Sequence, residues 1–260
     1  MNVRPPAVAG LFYPDDAREL RAMIGECLKD RAVAGAPPKA LIVPHAGYEY
    51  SGSVAGSAYA LIKAARGTIT RVVLLGPSHR VAFAGVAVSS ASQFSTPLGD
   101  VPVDQEAVAL IRALPQVTVL DRAHAREHSL EVHLPFLQVV LGDFALVPLV
   151  VGAASPVEVG EVLELLWGGP ETLIVASSDL SHFHDYRTAR RMDEATSAAI
   201  EGLRYEDIGD DDACGRISVS GLLRVARRLG LHARIVDLRN SGDTGGPRDQ
   251  VVGYGAYAIS

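Results

Sequence analysis

Residues 40–48, ALIVPHAGY, decide how this chain folds. Ala40–Val43 is a short apolar run closed by Pro44, which reads as a strand buried on both faces. His45 follows just past its end. The pattern recurs twice. Arg71–Leu75 (RVVLL) runs through GPS to His79, and Glu171–Ala176 runs through SSDLS to His182, with Asp179 between. Apolar strands that release polar side chains at their carboxyl ends are the signature of a parallel sheet with a site along one edge.

Outward from these runs, Phe144–Val151, Ala233–Leu238 and Val251–Ala258 also read as strands, and Gly85–Val88 and Val117–Leu120 as weaker ones. Helical patterns lie between them. In Asp16–Leu28, the apolar residues Leu20, Met23, Ile24, Cys27 and Leu28 recur at spacings of three and four, with Asp15 as a candidate N-cap. Ser53–Ala65, Gln105–Leu114, Val157–Trp167, Thr188–Leu203 and Val219–Leu229 are further helices, and Pro135 starts a short one or kinks a longer one. Alternating strands and helices predict an α/β fold with a mainly parallel or mixed central sheet and helices on both faces. No repeat interrupts the pattern, and the most linker-like stretch is Ala34–Pro38 (AGAPP), so residues 1–260 are expected to form one domain.

Composition narrows the function classes. Hydrophobic residues make up 48% and charged residues 21% of the chain, as in ordinary globular proteins. A net charge of −6, with no basic cluster beyond Arg187, Arg190 and Arg191, argues against a nucleic-acid partner. No apolar run is long enough for a membrane span, and the first residues lack a signal core, so a cytoplasmic location is expected. The two cysteines, Cys27 and Cys214, form no C-x-x-C pair and imply no disulfide framework. Cys214, in ACGRIS, reads as a packing residue.

The chemistry lies in the histidines. One imidazole in a loop is ordinarily a capping or hydrogen-bonding group. Three of them, His45, His79 and His182, at three strand ends point instead to a metal site, because neutral imidazole suits Fe, Cu and Zn. Glu127–Phe136 (EHSLEVHLPF) adds Glu127, His128, Glu131 and His133, which either line the pocket or begin an amphipathic helix with solvated carboxylates. His128 and His133 are five apart, which rules out a simple H-x-x-x-H zinc helix. PHAGYEYSG lacks the spacing of a phosphate or dinucleotide loop, so no nucleotide cofactor is expected, and Ser177, Ser178 and Ser181 form no G-x-S-x-G elbow. His124, His184 and His232 read as structural.

RPPAVAGLFYP, PHAGYEYSG, LGPSH, TPLGDVPVD, EHSLEVHLPFL, VASSDLSH and VVGYGAYAI occur in this order, and on these motifs the chain resembles the Memo family over essentially its whole length. The resemblance implies the fold of the class III extradiol dioxygenases, non-haem iron enzymes. It implies that His45 and His79 are metal ligands and that His182 is an acid/base. The family's third ligand, a cysteine in the animal protein and a glutamate in the dioxygenases, is expected just before the last strand. There RNSGDTGG (Arg239–Gly246) offers only Asp243 as an anionic ligand. The resemblance also implies a functional link to AMMECR1-type and radical-SAM proteins.

Two functions compete on this reading. In the first, Fe(II), or alternatively Cu or Zn, bound by His45, His79 and Asp243 serves a dioxygenase-like oxidoreductase, with His182 moving the proton and Asp179 orienting an imidazole. In the second, the same pocket binds a small molecule, a peptide or copper without turnover.

Overall fold

The computed structural model describes residues 2–29, 31 and 35–260. Ala34, the first residue of the AGAPP stretch, lies outside them. The chain begins with β1 (Val3–Arg4), α1 (Ala17–Cys27), β2 (Ala40–Val43), α2 (Tyr48–Ala60), β3 (Arg71–Pro77) and β4 (Val86–Val88). It continues with β5 (Gln93–Thr96), β6 (Gly99–Pro102), α3 (Gln105–Ile111), β7 (Val117–Val119), α4 (Asp121–Ala125), α5 (Leu134–Leu141) and β8 (Ala145–Val151). The rest is α6 (Pro156–Leu166), β9 (Thr172–Ser177), β10 (His182–His184), α7 (Tyr186–Glu201), α8 (Arg216–Arg228), β11 (Ala233–Asn240), α9 (Ser241–Thr244) and β12 (Val251–Ile259).

The main sheet runs β10-β12-β2-β9-β3-β8-β4-β7, with β11 paired to β12 as well. Its centre, β2-β9-β3-β8, is parallel throughout, whereas β12 joins β2 and β4 joins β8 antiparallel. The fold is therefore α/β with a mixed sheet. In β3, Val72, Val73, Leu74 and Leu75 are all fully buried. Successive strand residues face opposite sides, so both faces of the sheet must be covered. Helix α2 packs on β2, β11 and β12, and α8 packs on β3 and β9. A hydrophobic cluster runs from Val8 to Ile259.

Two local readings are corrected by packing. Helix α2 starts at Tyr48 rather than Ser53, and its small residues, unpromising for a helix, allow close approach to α1. A Cβ at Gly56 would stand 2.1 Å from Cys27 O. Asp16, not Asp15, caps α1, its Oδ1 accepting the Arg18 and Glu19 N–H groups at 2.9 Å. The strands β1, β5, β6 and β10 were not visible in the sequence; they are two to four residues long and carry no clear alternation. The first three form a separate small sheet.

His124 illustrates a buried histidine that is structural. It is 1% exposed and donates from Nε2 to Ala87 O at 3.0 Å. Burial holds its pKa down at about 4. A base with a depressed folded pKa contributes its full stability above the unfolded value of about 6.5 and loses it as pH falls toward 4. Lowering the pH from 7.5 to 4.5 is expected to cost roughly 3 kcal/mol through His124 alone. Urea midpoints for the parent and for His124→Gln in chelator test this, and an equal pH slope in the two proteins would refute it.

Candidate metal centre

Register sets the site. Val43 pairs with Ser177 and Leu75 with Ala176, so β2, β9 and β3 end side by side. His45, Asp179 and His79 each lie two residues beyond the end of their strand. The sheet thus carries two imidazoles and a carboxylate to one edge, where parallel sheets bind ligands. The loop after α4 supplies a third imidazole, His128.

The rings of His45, His79 and His128 form a triangle. Their centroids are 5.1 Å apart for His45 and His79, 5.4 Å for His45 and His128, and 4.7 Å for His79 and His128. One ligand atom from each lies within 4.8 Å of the others. Nitrogens sharing one zinc at about 2.1 Å stand about 3.4 Å apart, so side-chain shifts of about 1 Å would close the set. His45 is buried, His128 partly buried and His79 exposed, which leaves the site open on the His79 side.

Glu127 orients two members of the triangle. Its Oε1 faces His79 Nδ1 at 2.9 Å and accepts the N–H groups of His128 and Ser129, while Oε2 accepts the His79 N–H at 2.6 Å. Burial raises the Glu127 pKa, but these hydrogen bonds outweigh it and hold the carboxyl at about 2. An ionised carboxylate can only accept, so His79 carries a proton on Nδ1, and its neutral ring would present Nε2 to an ion, the arrangement of carboxylate–histidine–metal sites. His128 Nδ1 is buried 3.3 Å from the same Glu127 Oε1, in a geometry that makes no hydrogen bond. An imidazole oriented by a carboxylate and three ring nitrogens within 4.8 Å of one another fit a bound transition metal.

Cys214 enters the same site. Its Sγ lies 3.3 Å from His45 Nε2 and accepts the Asp179 N–H at 3.3 Å. Burial and then the Asp179 carboxylate push its thiol up to about 12, so a metal would have to displace the proton. Asp179 Oδ1 accepts the His45 N–H at 2.7 Å, and burial raises its pKa to about 7. His182 Nδ1 donates to Leu180 O at 2.8 Å, leaving Nε2 as its free base, and burial lowers its pKa.

Sequence comparison identifies the relatives. The Memo-like protein family profile matches residues 4–258. A MEMO1 family protein of a Thermotoga species is 37% identical, over 96% of this chain and 97% of its own. Those of Aquifex aeolicus and Saccharolobus solfataricus are 37% and 34% identical, at 98% and 96% of this chain and 98% and 97% of theirs. The chain belongs to the Memo family. A solved structure of an uncharacterised Escherichia coli protein aligns with a TM-score of 0.49 at 17% identity, covering 84% of this chain and 98% of that one.

In this Memo-family chain the expected set of metal residues is rearranged. Asp243 does not join His45 and His79. Its Oδ1 accepts the Tyr186 hydroxyl and its Oδ2 the Asn240 N–H, as the capping box of α9. His128 is instead the third member of the group that could hold an ion. Glu131 does not line the pocket. It is buried against the N-terminal segment, accepting from Arg4, from the Ala7 and Val8 N–H groups at 2.7 and 2.9 Å, and from the Tyr13 hydroxyl at 2.6 Å. His133 is also buried, behind His45 rather than on the pocket wall, with Nε2 2.9 Å from Ser177 Oγ. Cys214 was read as packing. Its one local signal is the following Gly215, where a Cβ would stand 2.3 Å from Ser177 O. Only a glycine lets this loop close onto the end of β9.

Proposed function

We propose that this Memo-family chain is a metal-dependent enzyme, an oxidoreductase of the dioxygenase type that acts on a small organic substrate. The convergence of His45, His79 and His128 nitrogens within 4.8 Å carries the reading. These three residues would hold the ion, with the Cys214 sulfur beside His45 as a further donor. When bound, Fe(II), or alternatively Cu or Zn, supplies Lewis acidity and a template for substrate oxygens. Asp179, with a pKa of about 7, can both take and give a proton near neutral pH. His182 Nε2 is the second group able to accept one.

A second reading, non-catalytic binding of copper, a peptide or a small molecule, is favoured by one observation. None of the three grouped donors is a carboxylate, whereas the non-haem Fe(II) oxygenases use two His and one carboxylate. Metal analysis after purification without chelators, followed by aerobic assay of a catechol panel with added Fe(II), separates the two. The enzyme reading expects bound metal and oxygen-dependent substrate loss. Metal without turnover leaves the binding reading. A protein that takes up no transition metal refutes both metal readings.

A further inference from the structure

We infer that Ser177 is a positioning residue that fixes the tautomer of His45, and that His133 and Tyr59 complete the relay holding it. The inference bears on the metal site proposed above, but it stands on hydrogen bonds of the protein alone.

Ser177, at the end of β9, is fully buried. Its Oγ has three polar neighbours: Ser129 O at 2.6 Å, His45 Nδ1 at 2.6 Å and His133 Nε2 at 2.9 Å. Counting protons leaves one solution. A backbone carbonyl has no proton, so the single hydroxyl proton of Ser177 must lie toward Ser129 O. The two Oγ lone pairs then accept, and both ring nitrogens must donate. His45 carries its proton on Nδ1 and His133 on Nε2.

Both rings are buried and neither makes a hydrogen bond to a carboxylate, so the uncharged imidazole is the form that fits. A neutral imidazole has one N–H, so His45 Nε2 and His133 Nδ1 are bare. The Tyr59 hydroxyl, fully buried, stands 2.8 Å from His133 Nδ1 and supplies the matching donor. Every proton in the chain Tyr59–His133–Ser177–His45 is then used once. The reverse sense, with Ser177 donating to His45, would press two oxygens together at 2.6 Å with no proton between them.

The consequence for the site is directional. The nitrogen left bare on His45 is Nε2, the one that faces Cys214 Sγ at 3.3 Å. Ser129 adjoins His128 in sequence, so one hydroxyl ties the His45 ring to the backbone that carries His128. Ser177 does for His45 what Glu127 does for His79, with a neutral group in place of a charged one.

Long-range 1H–15N correlation spectra of the 15N-labelled, metal-free protein read the tautomers directly. The expected result is His45 protonated on Nδ1 and His133 on Nε2. In Ser177→Ala, His45 should populate the Nε2–H form, and Zn(II) affinity should fall by about 10–100-fold, the usual loss when the group orienting a ligand is removed. A wild-type His45 protonated on Nε2, or a Ser177→Ala protein whose His45 tautomer is unchanged, overturns the inference. Should Ser177→Ala not fold, the opposite tautomers of His45 and His133 in the wild type remain the test, and any other pairing overturns it. A wild-type protein that binds no Zn(II) removes the metal reading without touching the tautomer result.

Discussion

His45→Ala should empty the metal site, whereas His182→Ala should leave it filled and slow turnover by about 10²–10⁴-fold. The two histidines differ in placement. His45 is buried at the centre, with its ring in the imidazole triangle and its Nε2 beside Cys214 Sγ. His182 begins β10, outside the grouped donors, and its Nδ1–H is committed to Leu180 O. Removing His45 takes away one of the three grouped ring nitrogens and leaves its hydrogen-bond partners, Ser177 and Asp179, without it. Removing His182 takes away a proton acceptor near the pocket. Metal titration and a turnover assay on the same two variants distinguish the roles. If His182→Ala loses metal as completely as His45→Ala, the acid/base assignment is wrong and His182 is a ligand.

Glu131→Ala should destabilise the protein by about 3–5 kcal/mol, the cost of leaving a buried charge without its partner. A domain's whole stability is about 5–15 kcal/mol, so much of this variant should unfold in mild denaturant. The Arg4 and Glu131 side chains are 5% and 0% exposed, and Arg4 would keep only its backbone acceptors, His124 O and Glu127 O. The Ala7 and Val8 N–H groups would lose their acceptor too. Replacing both charges, Arg4→Met with Glu131→Leu, should recover the part due to the unpaired charge but not the part due to the Ala7, Val8 and Tyr13 donors, which still lack an acceptor. Urea unfolding of the three proteins is the measurement, and a loss under about 1 kcal/mol in Glu131→Ala would show that water replaces the carboxylate.

The difference between what the sequence disclosed and what it concealed is physical. A parallel strand buried on both faces is a continuous apolar run, so β2, β3, β8 and β9 could be read directly, and the rule that sites follow strand ends led to His45, His79 and Asp179. His128 belongs to no such strand. It reads with Glu131 and His133 as the start of one amphipathic helix, but the helical turn starts only at Glu131. The carboxylate turns to Arg4 while the imidazole turns to the triangle. Cys214 could not be placed from its neighbours in sequence, since its position depends on a loop closing onto β9. Asp243 was chosen for its charge and proximity to β12, and local capping geometry claimed it instead.

The pairing of β10 has a consequence for synthesis. Among the described residues, the strand that carries His182 is paired with β12 alone, at Val251 and Val252. A ribosome releases the chain from its amino end, so His45, His79 and His128 emerge well before the residues that secure His182. Cys214 and the relay through Ser177 likewise precede β12. A nascent chain can therefore pair β2, β9 and β3, the strands that lead to His45 and His79, before β12 docks and secures the strand that carries His182. The two sides of the pocket would then form as separate events in the life of each molecule.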